Sequence, residues 1–143
     1  MNQEDILLEY RRGDESSAAA QLLATAGLCN DAMSRAYYAV LHYVRCLLLL
    51  EEIVPQSHHG AFVHFARLFV KSGIMSADFN RILGRLQKLR EEADYMSGAS
   101  FAPDDLAYIL EDVRAFHARV TQILEERGII SVVTGSDHSA GVT

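Results

Sequence analysis

Residues 29–52 read CNDAMSRAYYAVLHYVRCLLLLEE, and this stretch decides how the rest of the chain folds. Apolar side chains occupy nearly every side of a helix drawn through it, which is typical of a helix at the centre of a bundle. His42 and Arg45 interrupt the apolar run of its second half, which falls short of the ~18–20 clean residues of a membrane span. The stretch therefore predicts a central, buried helix and no membrane segment.

Four further helices are predicted around the central one. Apolar periodicity places them, together with Ser57 as an N-cap, Pro103 in a first turn and Gly128 as a stop signal. Their expected ranges are residues 3–25, 58–71, 76–95 and 103–127. Because the connections are short and no stretch before residue 129 alternates with period two, the sequence predicts an all-α fold. The expected architecture is an up-and-down antiparallel bundle of four to five helices.

The chain divides into one domain and a tail. Its 143 residues suit a single domain with a core of its own. We expect residues 1–127 to form the helical bundle and residues 128–143, which are rich in Gly, Ser and Thr, to form a flexible C-terminal tail. The acidic N-terminus has no apolar run behind it, so no signal peptide is predicted and the cytoplasm is the expected location.

The composition argues against several classes of protein. A net charge of −6 is opposite in sign to that of proteins that wrap duplex nucleic acid non-specifically. Cys29 and Cys46 do not have the spacing of zinc ligands, and we interpret them as apolar residues of a reducing compartment, with a disulfide as the alternative. No histidine pair has the i, i+4 spacing of helical metal ligands. The sequence therefore predicts no metal and no cofactor.

Arg35 and His42 are the candidate catalytic residues. They lie seven residues apart, so helical steps of ~100° bring both side chains to one face of the central helix. A histidine can take a proton from a ribose 2′-hydroxyl near neutral pH, and an arginine fork can hold phosphate oxygens as charge builds on them. This chemistry needs no metal and acts only on RNA, which carries its own nucleophile. In the alternative interpretation Arg35 is ion-paired with Asp31 and His42 is a hydrogen-bonded core residue.

Two further features are candidates for substrate binding. Tyr38 shares the face of the catalytic pair and can hydrogen-bond a phosphate, with packing as the alternative. Three cations form a basic stripe on the fourth predicted helix, opposite its apolar face: Arg81, Arg85 and Lys88. Such a stripe is typical of a phosphate track for RNA or a nucleotide. The alternative is a solvated helix face whose charges pair with acidic residues at positions 91, 92 and 94.

Four segments resemble the HEPN domain family and follow one another in the family's order. The first is Ser34-Arg35-Ala36-Tyr37-Tyr38-Ala39, with His42 behind it, which resembles the family signature. The others are SHHG at residues 57–60, FVKSG at 69–73 and LREEADY at 89–95. They resemble the segment that opens the next helix, the loop that closes it, and a late Arg-Glu-x-x-Asp-Tyr element. The resemblance spans about residues 5–125, nearly the whole helical region.

The resemblance implies an up-and-down bundle that forms a two-fold homodimer. In active HEPN members an Arg-x(4–6)-His motif cleaves RNA at the dimer interface, and Arg35-x6-His42 satisfies that spacing. Many members sit beside a small nucleotidyltransferase that is encoded as a separate chain, in toxin–antitoxin or related pairs. The apolar character of the central helix also favours a dimer, because a five-helix bundle is expected to cover only part of it.

The sequence therefore supports a leading hypothesis and two alternatives. In the first the chain is a metal-independent endoribonuclease, the toxin-like half of a two-gene module, with His42 as acid and base and Arg35 as phosphate clamp. In the second it is a non-catalytic HEPN module that binds a nucleotide or RNA, or docks a separate minimal nucleotidyltransferase. In the third it is a purely structural dimerising bundle. An exposed Arg35–His42 face favours the first hypothesis.

Overall fold

The computed structural model of the chain describes residues 2–95 and 103–131, without the side chains of residues 93 and 95. Within this part the chain forms five α-helices: α1 (Gln3–Thr25), α2 (Cys29–Leu50), α3 (His58–Phe65), α4 (Ala77–Tyr95) and α5 (Pro103–Glu126). The predicted all-α bundle is confirmed, and most of the expected tail, from residue 132 onward, lies outside the described residues. None of the described helices combines the length and apolarity needed to cross a bilayer.

The helix α2 lies at the centre of the bundle, and every other helix packs against it. Its buried residues recur along most of its length, from Ala32 to Leu48. Side chains from the surrounding helices complete the core, and the rings of Phe65 of α3 and Phe116 of α5 lie 5.7 Å apart. Removing this apolar surface from water is the main favourable contribution to folding. The orientation of the other four helices therefore follows from how each one covers α2.

Local signals set where α1 and α3 begin. The side chain of Asn2 accepts a hydrogen bond from the Glu4 amide at 2.7 Å, and that of Ser57 accepts one from the Gly60 amide at 2.9 Å. These bonds satisfy amides that have no partner inside the first helical turn. The third helix differs from its predicted range, because it passes into a π-helical turn over Ala66–Val70 instead of remaining α-helical to residue 71.

Most of the surface of α2 that the other helices leave uncovered is polar. Among the described residues, none of the exposed large hydrophobic side chains belongs to α2, although Leu49 and Leu50 at its end are only partly buried. The bundle therefore leaves little apolar surface of this helix for a second copy to cover, and a dimer through α2 stays a prediction.

The helices α1 and α2 approach each other closely at Gly13. A Cβ atom at this position would lie 2.7 Å from Cδ1 of Tyr43, far inside van der Waals contact. Tyr43 is fully buried, and its hydroxyl donates a hydrogen bond to Asp14 at 2.7 Å, which holds the ring in place. Burial and the neighbouring Asp14 carboxylate raise the pKa of Tyr43, so the phenol remains a neutral donor. Gly13 is therefore required by packing.

Gly13→Ala is expected to destabilise the fold by about 1–3 kcal/mol, because an overpacked core residue forces its neighbours off their preferred geometry. Gly84→Ala in α4 is the matched control, since a Cβ there meets nothing within 4 Å. In that helix alanine should stabilise by about 0.5–1 kcal/mol. Urea unfolding followed by circular dichroism measures both changes. Equal effects of the two substitutions would contradict the proposed contact.

Candidate active site

One side of α2 remains open to solvent. Between residues 32 and 48 the residues that are not buried, apart from Ser34, are Arg35, Tyr38, His42 and Arg45. Their spacing of three, four and three residues places them on one side of the helix. We call these four residues the outer stripe of α2. The stripe combines arginine and histidine, the residue types that bind phosphate and move protons near neutral pH.

Glu9 of α1 orients the imidazole of His42. Nδ1 of His42 lies 3.0 Å from Oε2 of Glu9, and each side chain is 16% exposed. An ionised carboxylate can only accept a hydrogen bond, so Nδ1 carries the proton and donates it. In the neutral imidazole the lone pair then belongs to Nε2, which is the nitrogen that can accept a proton from a substrate. Glu9 therefore orients the imidazole of His42, which is largely buried on the outer stripe.

Arg35 is exposed on the same stripe. With the described residues it forms no hydrogen bond or ion pair, and the carboxylate of Asp31 one turn back does not hold it. The alternative interpretation is met only in part: Arg35 is not held in an internal ion pair, but His42 is largely buried and hydrogen-bonded, as that interpretation expects. The guanidinium of Arg35 is available to an anion from outside the chain. The Arg35–His42 face thus joins one oriented imidazole and one cation that no described residue pairs.

Cys46 lies one turn beyond His42, but it faces the core. It is fully buried, and burial raises the pKa of its thiol to about 12, with a further contribution from Glu9. At neutral pH it is therefore a protonated thiol, whereas a cysteine nucleophile reacts as the thiolate. The described cysteines, Cys29 and Cys46, are both free. This agrees with their interpretation as reduced apolar residues.

A cation–aromatic cluster adjoins the stripe at Tyr38. Nη2 of Arg90, from α4, donates a hydrogen bond to the Tyr38 hydroxyl at 3.1 Å. The guanidinium carbon of Arg90 lies 4.8 Å from the ring centroid of Tyr37 and 5.4 Å from that of Tyr38. The Tyr37 hydroxyl lies 3.3 Å from Nδ1 of His58, at the start of α3. Tyr38, a candidate phosphate ligand, thus also packs at the junction of α2, α3 and α4.

The family of this chain follows from a comparison with known families. The HEPN domain family model matches residues 8–124, which include α2 and its entire outer stripe. The chain belongs to the HEPN family. The resemblance noted in the signature segment and in the three later segments is therefore confirmed.

Curated relatives match this HEPN chain over nearly its whole helical region. "Putative toxin MJ0605" of Methanocaldococcus jannaschii is 30% identical over 123 residues, which cover 86% of the chain and 91% of the relative. A "UPF0332 protein" of Thermotoga maritima is 27% identical over 128 residues, covering 88% and 97% respectively. "Putative toxin MJ0142" of Methanocaldococcus jannaschii is 25% identical over 119 residues, covering 83% and 81%.

The basic stripe of α4 is partly neutralised in this HEPN domain. Arg81 pairs with Asp78 on its own helix, and Arg85 pairs with Asp112 of α5. Burial raises the pKa of Asp112, although Arg85 opposes this shift. Lys88 is exposed. The acidic partners of the two arginines therefore differ from those expected at positions 91–94, because Asp112 approaches from a different helix. The ion pairs of Arg81 and Arg85 involve no residue of the outer stripe, and Lys88 forms no hydrogen bond or ion pair with the described residues.

Two further histidines of the described residues, His64 and His117, serve separate local contacts. Nη2 of Arg67 donates a hydrogen bond to Nδ1 of His64 at 2.9 Å, and His117 lies 3.3 Å from the carboxylate of Asp14. Within residues 2–95 and 103–131, no three histidine, cysteine or acidic side chains are grouped so as to hold a metal ion.

Three residues of the site were not identified from the sequence as its members. Glu9 lies on α1, and nothing in a single sequence indicates which residue of α2 it meets. Arg90 and His58 belong to segments that carry the family resemblance, and that resemblance is the sequence signal that could have identified them. Their contacts with Tyr37 and Tyr38 depend on how α3 and α4 are rotated against α2, which apolar periodicity constrains only roughly.

We expect the titration of His58 to report the charge of its surroundings. Burial lowers the pKa of His58, and the positive charges of Arg45 and Arg90 lower it further. Arg45→Gln removes one of these charges, so the pKa of His58 should rise towards its ordinary value. NMR titration of the imidazole protons measures this directly. Arg67→Gln, in the π-helical turn that follows α3, is the control and should leave the pKa of His58 unchanged. An unaltered pKa of His58 in Arg45→Gln would contradict the assignment.

Proposed function

We propose that this HEPN chain is a metal-independent endoribonuclease that uses Arg35 and His42. One observation carries the proposal: Glu9 holds Nδ1 of His42 at 3.0 Å, and Nε2 remains for a substrate. The His42 side chain is largely buried but retains 16% exposure on the outer stripe, where a ligand seated along the stripe would meet it. The unpaired guanidinium of Arg35 on the same face supplies the positive charge that a phosphodiester requires.

In the proposed reaction, Nε2 of His42 accepts the proton of a ribose 2′-hydroxyl. The 2′-oxygen attacks the adjacent phosphorus and forms a new P–O bond, and the bond to the 5′-oxygen breaks. The imidazolium returns its proton to the leaving 5′-oxygen. Arg35 stabilises the charge that builds on the non-bridging oxygens, and Glu9 stabilises the imidazolium. The products are a 2′,3′-cyclic phosphate and a 5′-hydroxyl.

We place this activity in a toxin-like protein of a two-gene module. Two relatives that align over most of their length carry the word toxin in their names. An endoribonuclease without a control would damage its own cell, so a second chain that restrains or modifies it fits this role. The proposed partner is a separate antitoxin or nucleotidyltransferase chain, as the family resemblance implies, and RNA is the proposed substrate. A non-catalytic module that binds RNA or docks that partner is the rival, and the experiments below distinguish it.

We also propose that the active form is a two-fold homodimer. The outer stripe lies on the surface of the bundle, so a single chain supplies one wall of any groove along it. A second copy, placed with its own stripe opposite, would supply the other wall and bring two Arg35–His42 pairs to one RNA strand.

Light scattering at about 50 µM chain, an ordinary working concentration for such equilibria, should report twice the mass of one chain. Arg45→Glu, which places an acid on the polar stripe, is expected to change the dimer fraction. Gly84→Ala on α4 should leave it unchanged. A monomer under these conditions would contradict the dimer, although cleavage could still be tested.

His42→Ala is expected to lower RNA cleavage by ~10²–10⁴, the usual cost of losing one general acid–base group. Arg35→Ala should act similarly, because it removes the charge that meets the phosphorane. The products of the wild type should carry 2′,3′-cyclic phosphate ends, and DNA of the same sequence should remain intact. Gel analysis of labelled oligonucleotides measures all of these.

The controls separate chemistry from folding. Arg114→Gln, an exposed residue of α5, should cleave like the wild type, and circular dichroism should show that every variant retains its helices. Glu9→Gln keeps the shape of the side chain but loses its charge, so cleavage should fall less than in His42→Ala. Cleavage that persists in His42→Ala would contradict the proposed mechanism. No cleavage by the wild type would favour the non-catalytic module.

A further inference from the structure

A pocket with a volume of about 250 Å³ lies beside His42 on the outer surface of the bundle. Glu9 of α1, Arg45 and Leu49 of α2, and Val54 and Pro55 of the loop after α2 line it. Arg45 and Leu49 continue the side of α2 on which His42 lies. The pocket therefore shares Glu9 with the proposed catalytic histidine and begins about 4.5 Å further along the helix axis.

One side of the pocket is apolar. Leu49, Val54 and Pro55 contribute it, and Val54 is 65% exposed although it is a branched hydrophobic residue. An apolar side chain that stands open to water gains free energy when a flat apolar group covers it. The faces of nucleobases are flat and largely apolar, so a base laid on these aliphatic side chains would cover them.

The other side of the pocket carries two opposite charges that do not form an ion pair with each other. Glu9 uses Oε2 to hold His42, and the described residues offer no hydrogen bond to its Oε1. Arg45 lines the same pocket, yet it is not ion-paired with Glu9 or with any other residue in the part of the chain that the structure describes. A carboxylate oxygen and a guanidinium fork are thus both available to hydrogen-bond a ligand in the pocket.

A base with adjacent donors and acceptors fits this arrangement. Guanine presents N1–H and N2–H donors to a carboxylate, and O6 and N7 are the acceptors that arginine most often contacts in specific recognition. The other bases present fewer of these groups. We propose that the pocket binds a guanine base next to the phosphate on which Arg35 and His42 act. This inference rests on the proposed ribonuclease function and names its sequence preference.

The first test maps cleavage on RNA oligonucleotides that differ only in the base on either side of one phosphate. The wild type should cleave beside guanine at least ~10-fold faster than beside the other bases, the discrimination expected from one bidentate pair. Arg45→Lys keeps the positive charge but loses the fork, so it should cleave all four sequences at nearly equal rates. Arg114→Gln is the control and should retain the preference.

The second test needs no cleavage. It measures binding of His42→Ala to 2′-O-methyl hexanucleotides, which lack the attacking hydroxyl, by fluorescence anisotropy. Guanine-containing oligonucleotides should bind at least ~10-fold more tightly than their adenine, cytosine or uracil counterparts, and Arg45→Lys in the same background should remove the difference.

The outcomes separate the pocket from the catalytic proposal. Cleavage by the wild type without a base preference overturns the guanine pocket and leaves the ribonuclease intact. A guanine preference in binding without any cleavage supports the pocket and overturns the ribonuclease. Equal binding of the four oligonucleotides, a preference for another base, or a preference that survives Arg45→Lys overturns the pocket.

Discussion

The burial of α2 constrains every other part of the molecule. Each of the other helices packs against it, and its apolar residues are covered within one chain. A charged side chain buried without a partner costs several kcal/mol or changes its protonation, so the arginines of α2 can lie only where no helix covers it. That remaining side is the outer stripe. The same packing brings Glu9 of α1 to His42 and Arg90 of α4 to Tyr38, so the candidate site follows from the way the core is filled.

Much of the fold could be predicted because its signals are local. Ser57 caps α3 and Pro103 begins α5, as their residue types indicate. The seven-residue spacing of Arg35 and His42 predicts that they share one side of α2, since helix geometry alone fixes that relation. The π-helical turn over Ala66–Val70 was missed, because one additional residue in a turn leaves no distinctive composition.

The rest of the site depends on contacts between helices, which one sequence does not specify. Glu9 contacts His42, which lies 33 positions further along the sequence, and Arg85 contacts Asp112, which lies 27 positions further along. Apolar periodicity indicates which side of a helix faces the core, but not the axial position at which two helices touch. The same limit applies to the predicted dimerisation through α2. The apolar content of α2 could be counted from sequence, but the surface that its neighbours would cover could not.

The two members of the proposed catalytic pair are held differently, and this difference suits their proposed roles. In the proposed reaction His42 presents one nitrogen in a fixed tautomer, and a hydrogen bond from its other nitrogen to Glu9 orients it in advance of binding. Arg35 would follow a phosphate whose charge and geometry change during that reaction, and an internal ion pair would have to break before it could do so. The carboxylate that holds His42 is also the one that lines the pocket with Arg45. Recognition of a neighbouring base and orientation of His42 would therefore act through one side chain, which links where the RNA binds to how it is cut.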